Sequence, residues 1–133
     1  MTVLLSAIAK TVIETAARRA LPKECCGLLV GHENTISRAV EAPNLARDPD
    51  RFELDARVHL GLQRDLRGTG EQIVGVFHSH PYGQPVPSAE DFAQASYLGW
   101  IWLITALDDK GCTSRAWRAE DTGFVPMALR YVD

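Results

Sequence analysis

The chain has 133 residues, 46% of them hydrophobic and 23% charged, an ordinary composition for one globular domain over residues 1–133 with a real core. Its 14 basic and 17 acidic residues leave a net charge of −3, which lacks the basic footprint of a nucleic-acid binder. Three cysteines, two of them adjacent, make no disulfide framework; no apolar run reaches transmembrane length and the N-terminus has no charged signal-peptide region, so a cytoplasmic protein with no membrane partner is expected.

Leu5, Ile8, Ala9, Val12, Ala16 and Ala20 recur at helical spacing, predicting a helix from about residue 5 to 20, with Ser6 as a candidate cap and Pro22 as its stop. The apolar segment after Glu24 reads as a strand ended by Gly31. Cys25 and Cys26 within it are read as buried packing residues, with Cys26 on the same face as Glu24. His32-Glu33-Asn34 supplies a turn, and a second strand is expected over Thr35–Glu41.

Two prolines and mixed polarity make residues 42–55 a loop, with Phe52 and Leu54 as its apolar pins. Asp55 is a candidate cap for a helix through about Leu66, with Val58, Leu62 and Leu66 facing inward and Gly68-Thr69-Gly70 ending it. Ile73-Val74-Gly75-Val76-Phe77 is a short, β-branched apolar run and reads as a buried strand. His78 and His80 follow at or just past its end, and Pro81 and Gly83 turn the chain. Side chains two residues apart on an extended backbone share a face, so the two imidazoles converge on one point.

Ser88 is a candidate N-cap for a helix to about Tyr97, with Phe92, Ala95 and Ser96 near its packed side and Gly99 as its breaker. Trp100–Ala106 is the clearest buried strand, and Asp108-Asp109-Lys110-Gly111 a hairpin turn. Strands near Thr113–Arg118 and Phe124–Arg130 complete the sheet, the first of them alternating like a half-exposed edge.

Two imidazoles with one carboxylate, His78, His80 and Asp91, are the donor set of a catalytic zinc that keeps its fourth position open for water. Ser88 and Asp91 alone would read as a capping box, and one histidine at a strand end is more often packed than a ligand. Two of only four histidines at metal spacing, beside an acid and a turn rich in breakers, favour the metal.

Phe77-His78-Ser79-His80-Pro81 followed by Pro87-Ser88-Ala89-Glu90-Asp91, with ten residues between His80 and Asp91, resembles the JAMM (MPN+) metalloprotease family, in its compact bacterial and archaeal form. Glu24 with Gly27, Leu28 or Leu29 and Gly31 fits the family's glutamate strand, and the segment from Asn44 to Asp55 resembles a loop that flanks the substrate groove in such proteins. The resemblance implies a mixed α/β fold, a curved sheet packed by helices as in JAMM and cytidine deaminase-like domains. It implies one zinc per chain on His78, His80 and Asp91, with Glu24 moving the proton and Ser88 donating to the oxyanion. Its expected substrates are ubiquitin-like or sulfur-carrier proteins with Gly-Gly tails, cleaved at a peptide or isopeptide bond or relieved of an adduct such as cysteine. A non-catalytic MPN-type scaffold and a metal-dependent small-amide hydrolase stand as the alternatives. Past Asp91 the chain has no histidine and one cysteine, Cys112, so the second, structural zinc site of some eukaryotic JAMM proteins cannot be built, and the later Pro-Cys-x-x-Cys of cytidine deaminases is absent.

Overall fold

The computed structural model describes residues 1–95 and 98–133. In chain order the elements are β1 (Thr2–Ser6), α1 (Ala7–Ala20), β2 (Cys26–His32), β3 (Thr35–Ala42), α2 (Ala56–Asp65), β4 (Gln72–His80), α3 (Ala89–Gln94), β5 (Ile101–Asp108), β6 (Gly111–Glu120) and β7 (Gly123–Val132). The strands close in the order β1-β3-β2-β4-β5-β6-β7. β4 runs parallel to β5 and antiparallel to β2, so the strand that carries the histidines is flanked on both edges.

The mixed α/β architecture agrees with the sequence, and the curvature of the sheet goes as far as closure. β1 was not anticipated. Residues 2–6 are too few to show a period of their own, and Leu5 also fits the helical spacing that follows. Ser6 is the actual boundary: its Oγ accepts from Ala9 N at 3.1 Å, which caps α1. β1 lies parallel to β7 and removes that edge, so β6 is an interior strand between β5 and β7 and not the edge its alternation suggested.

Two apolar layers flank the sheet. On one side α1 packs Ala9, Ile13, Ala16 and Ala17 onto Val3, Leu29, Phe77, Ile101 and Leu103. On the other, α2 and the loop before it lay Leu62, Leu66 and Phe52 over Leu28, Val30, Val76 and Trp102. Strands buried on both faces lose alternation, which is why β2, β4 and β5 read as continuous apolar runs. The Phe77 ring lies where a Cβ on Gly27 would stand, so only glycine lets β2 and β4 pair at this register.

α3 is shorter than its pattern suggested. It ends at Gln94 with Ala95 as its C-cap, while the predicted continuation over Ser96 and Tyr97 lies outside the described residues. Phe92 is 53% exposed instead of packed inside, although its ring meets Phe124 edge-on. α2 begins after Asp55, which caps it as expected, and stops at Asp65 with Leu66 as the C-cap. Among the described residues no helix is long and apolar enough to cross a membrane.

Candidate metal centre

β4 delivers the centre. Val76, His78 and His80 project from one face of the strand, away from Phe77 and Ser79. Both histidines belong to the strand itself, because pairing with β5 continues through Ser79↔Thr105 and His80↔Ala106. His78 is fully buried; the Phe52 ring stacks on it at 4.4 Å and Trp102 meets it edge-on at 5.5 Å. Those two rings fix the imidazole plane and leave Nε2 pointing toward His80.

α3 supplies the acid. Ser88 Oγ accepts from Asp91 N at 3.1 Å and Asp91 Oδ2 accepts from Ser88 N at 2.9 Å, a reciprocal capping box. The same carboxylate reaches the histidines. His78 Nε2 lies 3.1 Å from Asp91 Oδ1, His80 Nε2 lies 3.2 Å from Asp91 Oδ2, and the two Nε2 atoms are 3.0 Å apart. The capping account and the ligand account of this pair therefore hold together.

Glu24 arrives from a distant part of the sequence. The register Cys26↔His78 sets the entry of β2 beside the histidines, and Glu24, two residues earlier, shares their face. Ser79 secures this junction: its Oγ accepts from Cys25 N at 2.8 Å, and its own N–H donates to Cys25 O at 3.2 Å. Asn44 holds the other flank, donating to the carbonyls of Glu24 and Arg51 at 2.9 Å while its Oδ1 accepts from Ala46 N and Glu53 N. Neither role is evident from sequence; a serine between two candidate ligand histidines and an asparagine at the head of a proline-containing loop are the only local signals of them.

Ionisation at the site follows from this burial. Glu24 is only 5% exposed and its Oε1 has no hydrogen-bond partner, so desolvation pushes its carboxyl up to about 8, with Asp91 adding to the rise and His80 opposing it. Burial lowers His78. For His80 burial also pulls down, but the bonds to Asp91 and to the Gln84 carbonyl outweigh it and the net shift is upward. Asp91 is buried too, yet both imidazoles hold its carboxyl well below the usual range. Burial pushes the thiols of Cys25 and Cys26 up to about 11 and about 12, so neither is a thiolate nucleophile.

Glu24, His78 and His80 form a cluster able to hold a metal ion, and Asp91 adds a fourth donor in contact with both imidazoles. His80 Nδ1 lies 2.8 Å from the Gln84 carbonyl; donating there turns the Nε2 lone pair inward. With both Nε2 atoms unprotonated, two lone pairs and a carboxylate face one another without a donor between them, and a cation would satisfy all three. Tetrahedral bonds of 2.0–2.1 Å imply a donor–donor edge of about 3.3 Å, close to the spacing of the three atoms. The residues fit the ion.

A cleft of about 380 Å³ opens in front of Glu24, His80 and Ser88. A second, apolar cleft of about 280 Å³ lies on the Phe52 side, lined by Leu54, Val76, Trp100 and Trp102 among others.

Residues 6–120 match the family of prokaryotic homologs of the JAB domain. The desampylase of Haloferax volcanii is 33% identical over 111 residues, 81% of this chain and 79% of that protein. The CysO-cysteine peptidase of Mycobacterium tuberculosis is 33% identical over 95 residues, 70% of this chain and 65% of that one. Among solved structures, a protein from Desulfitobacterium hafniense superposes with a TM-score of 0.89 at 29% identity, covering 100% of this chain and 94% of that one. A JAB1/MPN domain protein from Archaeoglobus fulgidus shares the fold at a TM-score of 0.66 and 21% identity, over 97% and 98% of the two chains. The chain belongs to the prokaryotic JAB family, and it is a hydrolase.

Proposed function

We propose that this JAB-family hydrolase cleaves the amide bond after the Gly-Gly tail of a ubiquitin-like or sulfur-carrier protein, in the cytoplasm, as a single zinc-dependent domain. The relatives named desampylase and CysO-cysteine peptidase support the substrate class. The observation that carries the chemistry is the meeting of His78 Nε2, His80 Nε2 and Asp91 at 3.0–3.2 Å beside a buried, unpartnered Glu24 carboxylate. A scaffold protein has no use for such an arrangement, since an orphaned buried carboxylate costs stability and offers no contact.

In this reading His78, His80 and Asp91 would hold one zinc ion, which would supply Lewis acidity at the site. Glu24 accepts a proton from the attacking water and delivers it to the leaving nitrogen; its raised proton affinity suits both halves of that transfer. The water oxygen bonds to the acyl carbon first, and the C–N bond breaks as the resulting oxyanion collapses; with both water protons ending on the leaving nitrogen, the products are a free tail carboxylate and an ammonium. Ser88 Oγ already accepts from Asp91 N, so its own hydrogen remains for the oxyanion of the substrate. Removing one such donor typically lowers the rate by ~10²–10³. Phe52 and Trp102 keep water off His78 and fix its ring.

Zinc analysis of chelator-free protein, paired with cleavage of a Gly-Gly-tailed carrier, tests this. About one zinc per chain is expected in the wild type, with loss in His78→Ala. Glu24→Gln should retain zinc and lose turnover by about 10²–10⁴-fold. A wild type that takes up no zinc, or a fully active Glu24→Gln, would sink the proposal.

A further inference from the structure

The cleft in front of Glu24 carries charge that peptide hydrolysis itself does not use. Its walls are Pro22, Pro49, Pro81 and Tyr82, the last 84% exposed, and its remaining acidic residues are Asp50 and Glu90. Among the described residues no lysine or arginine lines it. Neither Asp50 nor Glu90 forms an ion pair among the described residues. Arg51, next along the chain, lines the adjoining groove, which Ala89, Glu90, Ala93 and Gln94 also line. The Glu24 carboxylate, with its unpartnered Oε1, is aimed into the same space.

Glu24 hands its proton to the leaving nitrogen, so whatever is attached to that nitrogen occupies this cleft and not the apolar one behind Phe52. A free amino acid as leaving group brings an α-carboxylate two bonds from the nitrogen, into a field of like charge. A lysine side chain brings four methylenes, which suit walls of proline and tyrosine, and keeps backbone charges at a distance.

We infer that Asp50 and Glu90 make this cleft select against anionic leaving groups, so that the enzyme acts on lysine-linked conjugates of its carrier in preference to adducts of a free amino acid. The inference rests on the function proposed above. Its basis is like-charge exclusion, which discriminates by penalising the wrong partner.

The test uses a sulfur-carrier protein ending in Gly-Gly, joined through its terminal carboxyl to glycine, to glycinamide, or to the ε-nitrogen of lysine in an uncharged pentapeptide. Glycine and glycinamide differ in one negative charge. Zinc-loaded wild type should show kcat/KM about tenfold lower for the glycine adduct than for the glycinamide one, the scale of one like charge several ångströms away in a partly wet site. The pentapeptide conjugate should be cut at least as well as the glycinamide one. The double variant Asp50→Asn, Glu90→Gln should bring the ratio close to one, and Asp50→Asn alone, which leaves α3 untouched, should move it part of the way. Calorimetric Kd values on Glu24→Gln, measured without turnover, should show the same preference. Equal cleavage of glycine and glycinamide adducts by wild type, or a ratio unmoved in both variants, would overturn the inference and leave the proposed function standing. No cleavage of any of the three would overturn that function, and this inference with it.

Discussion

The two faces of β4 are built on opposite terms. On one, Phe77 is fully buried against α1, and Ser79 has both its hydroxyl and its N–H engaged at Cys25. On the other, His78 Nδ1 and Glu24 Oε1 are buried without partners, and two imidazoles point at one carboxylate. Buried polar groups are nearly always satisfied, so the contrast locates function on the second face without any appeal to relatives. It also shows how one strand supports both: the satisfied face fixes the backbone from which the unsatisfied one projects.

The largest effect should come from breaking the satisfied face. Phe77→Ala removes a ring that fills the space over Gly27 and is expected to cost about 3–5 kcal/mol of stability, read by urea unfolding. Ser79→Ala strips the partner from the buried Cys25 N–H and should cost about 1–3 kcal/mol, with turnover falling further because Glu24 is the next residue. If Ser79→Ala melts like the wild type and stays fully active, the junction does not position Glu24.

The other face is tested through pH. In metal-free protein Glu24 binds its proton more tightly folded, at about 8, than at its ordinary 4.5. The native state then holds more protons than the unfolded chain, so stability falls as pH rises across that interval. Glutamine carries no such penalty. The Tm of Glu24→Gln relative to wild type should therefore climb from about pH 4.5 to about pH 8 and level off above it, in thermal melts with chelator present. A Tm difference that is flat across this range would show that the carboxylate is not desolvated as the structure implies.

Much of the centre was legible because it is local. Two residues of spacing on a strand put His78 and His80 on one face whatever the rest of the chain does, and Ser88 with Asp91 forms a capping box from a four-residue pattern. The buried strands and the Asp55 and Ser6 caps were readable for the same reason. Harder to see were features with weak or competing local signals. β1 is five residues long and runs into a helix whose spacing absorbs it. Phe92 has an apolar side chain but sits on a short helix with too little partner surface to cover it.

What the sequence determined by itself, then, was the pair of histidines, the cap that brings an acid to a helix start, and the apolar strand that carries the pair. Each depends on backbone periodicity over a few residues. Tertiary structure alone decided that Glu24 stands beside them, through the Cys26↔His78 register, and that Phe52 stacks on His78 from a loop 26 positions away. It also decided that Asp50 and Glu90 face one cleft and that β1 closes the sheet against β7. Such pairings join segments far apart along the chain, and no local periodicity encodes them; they are fixed by which apolar faces are buried together when the sheet closes.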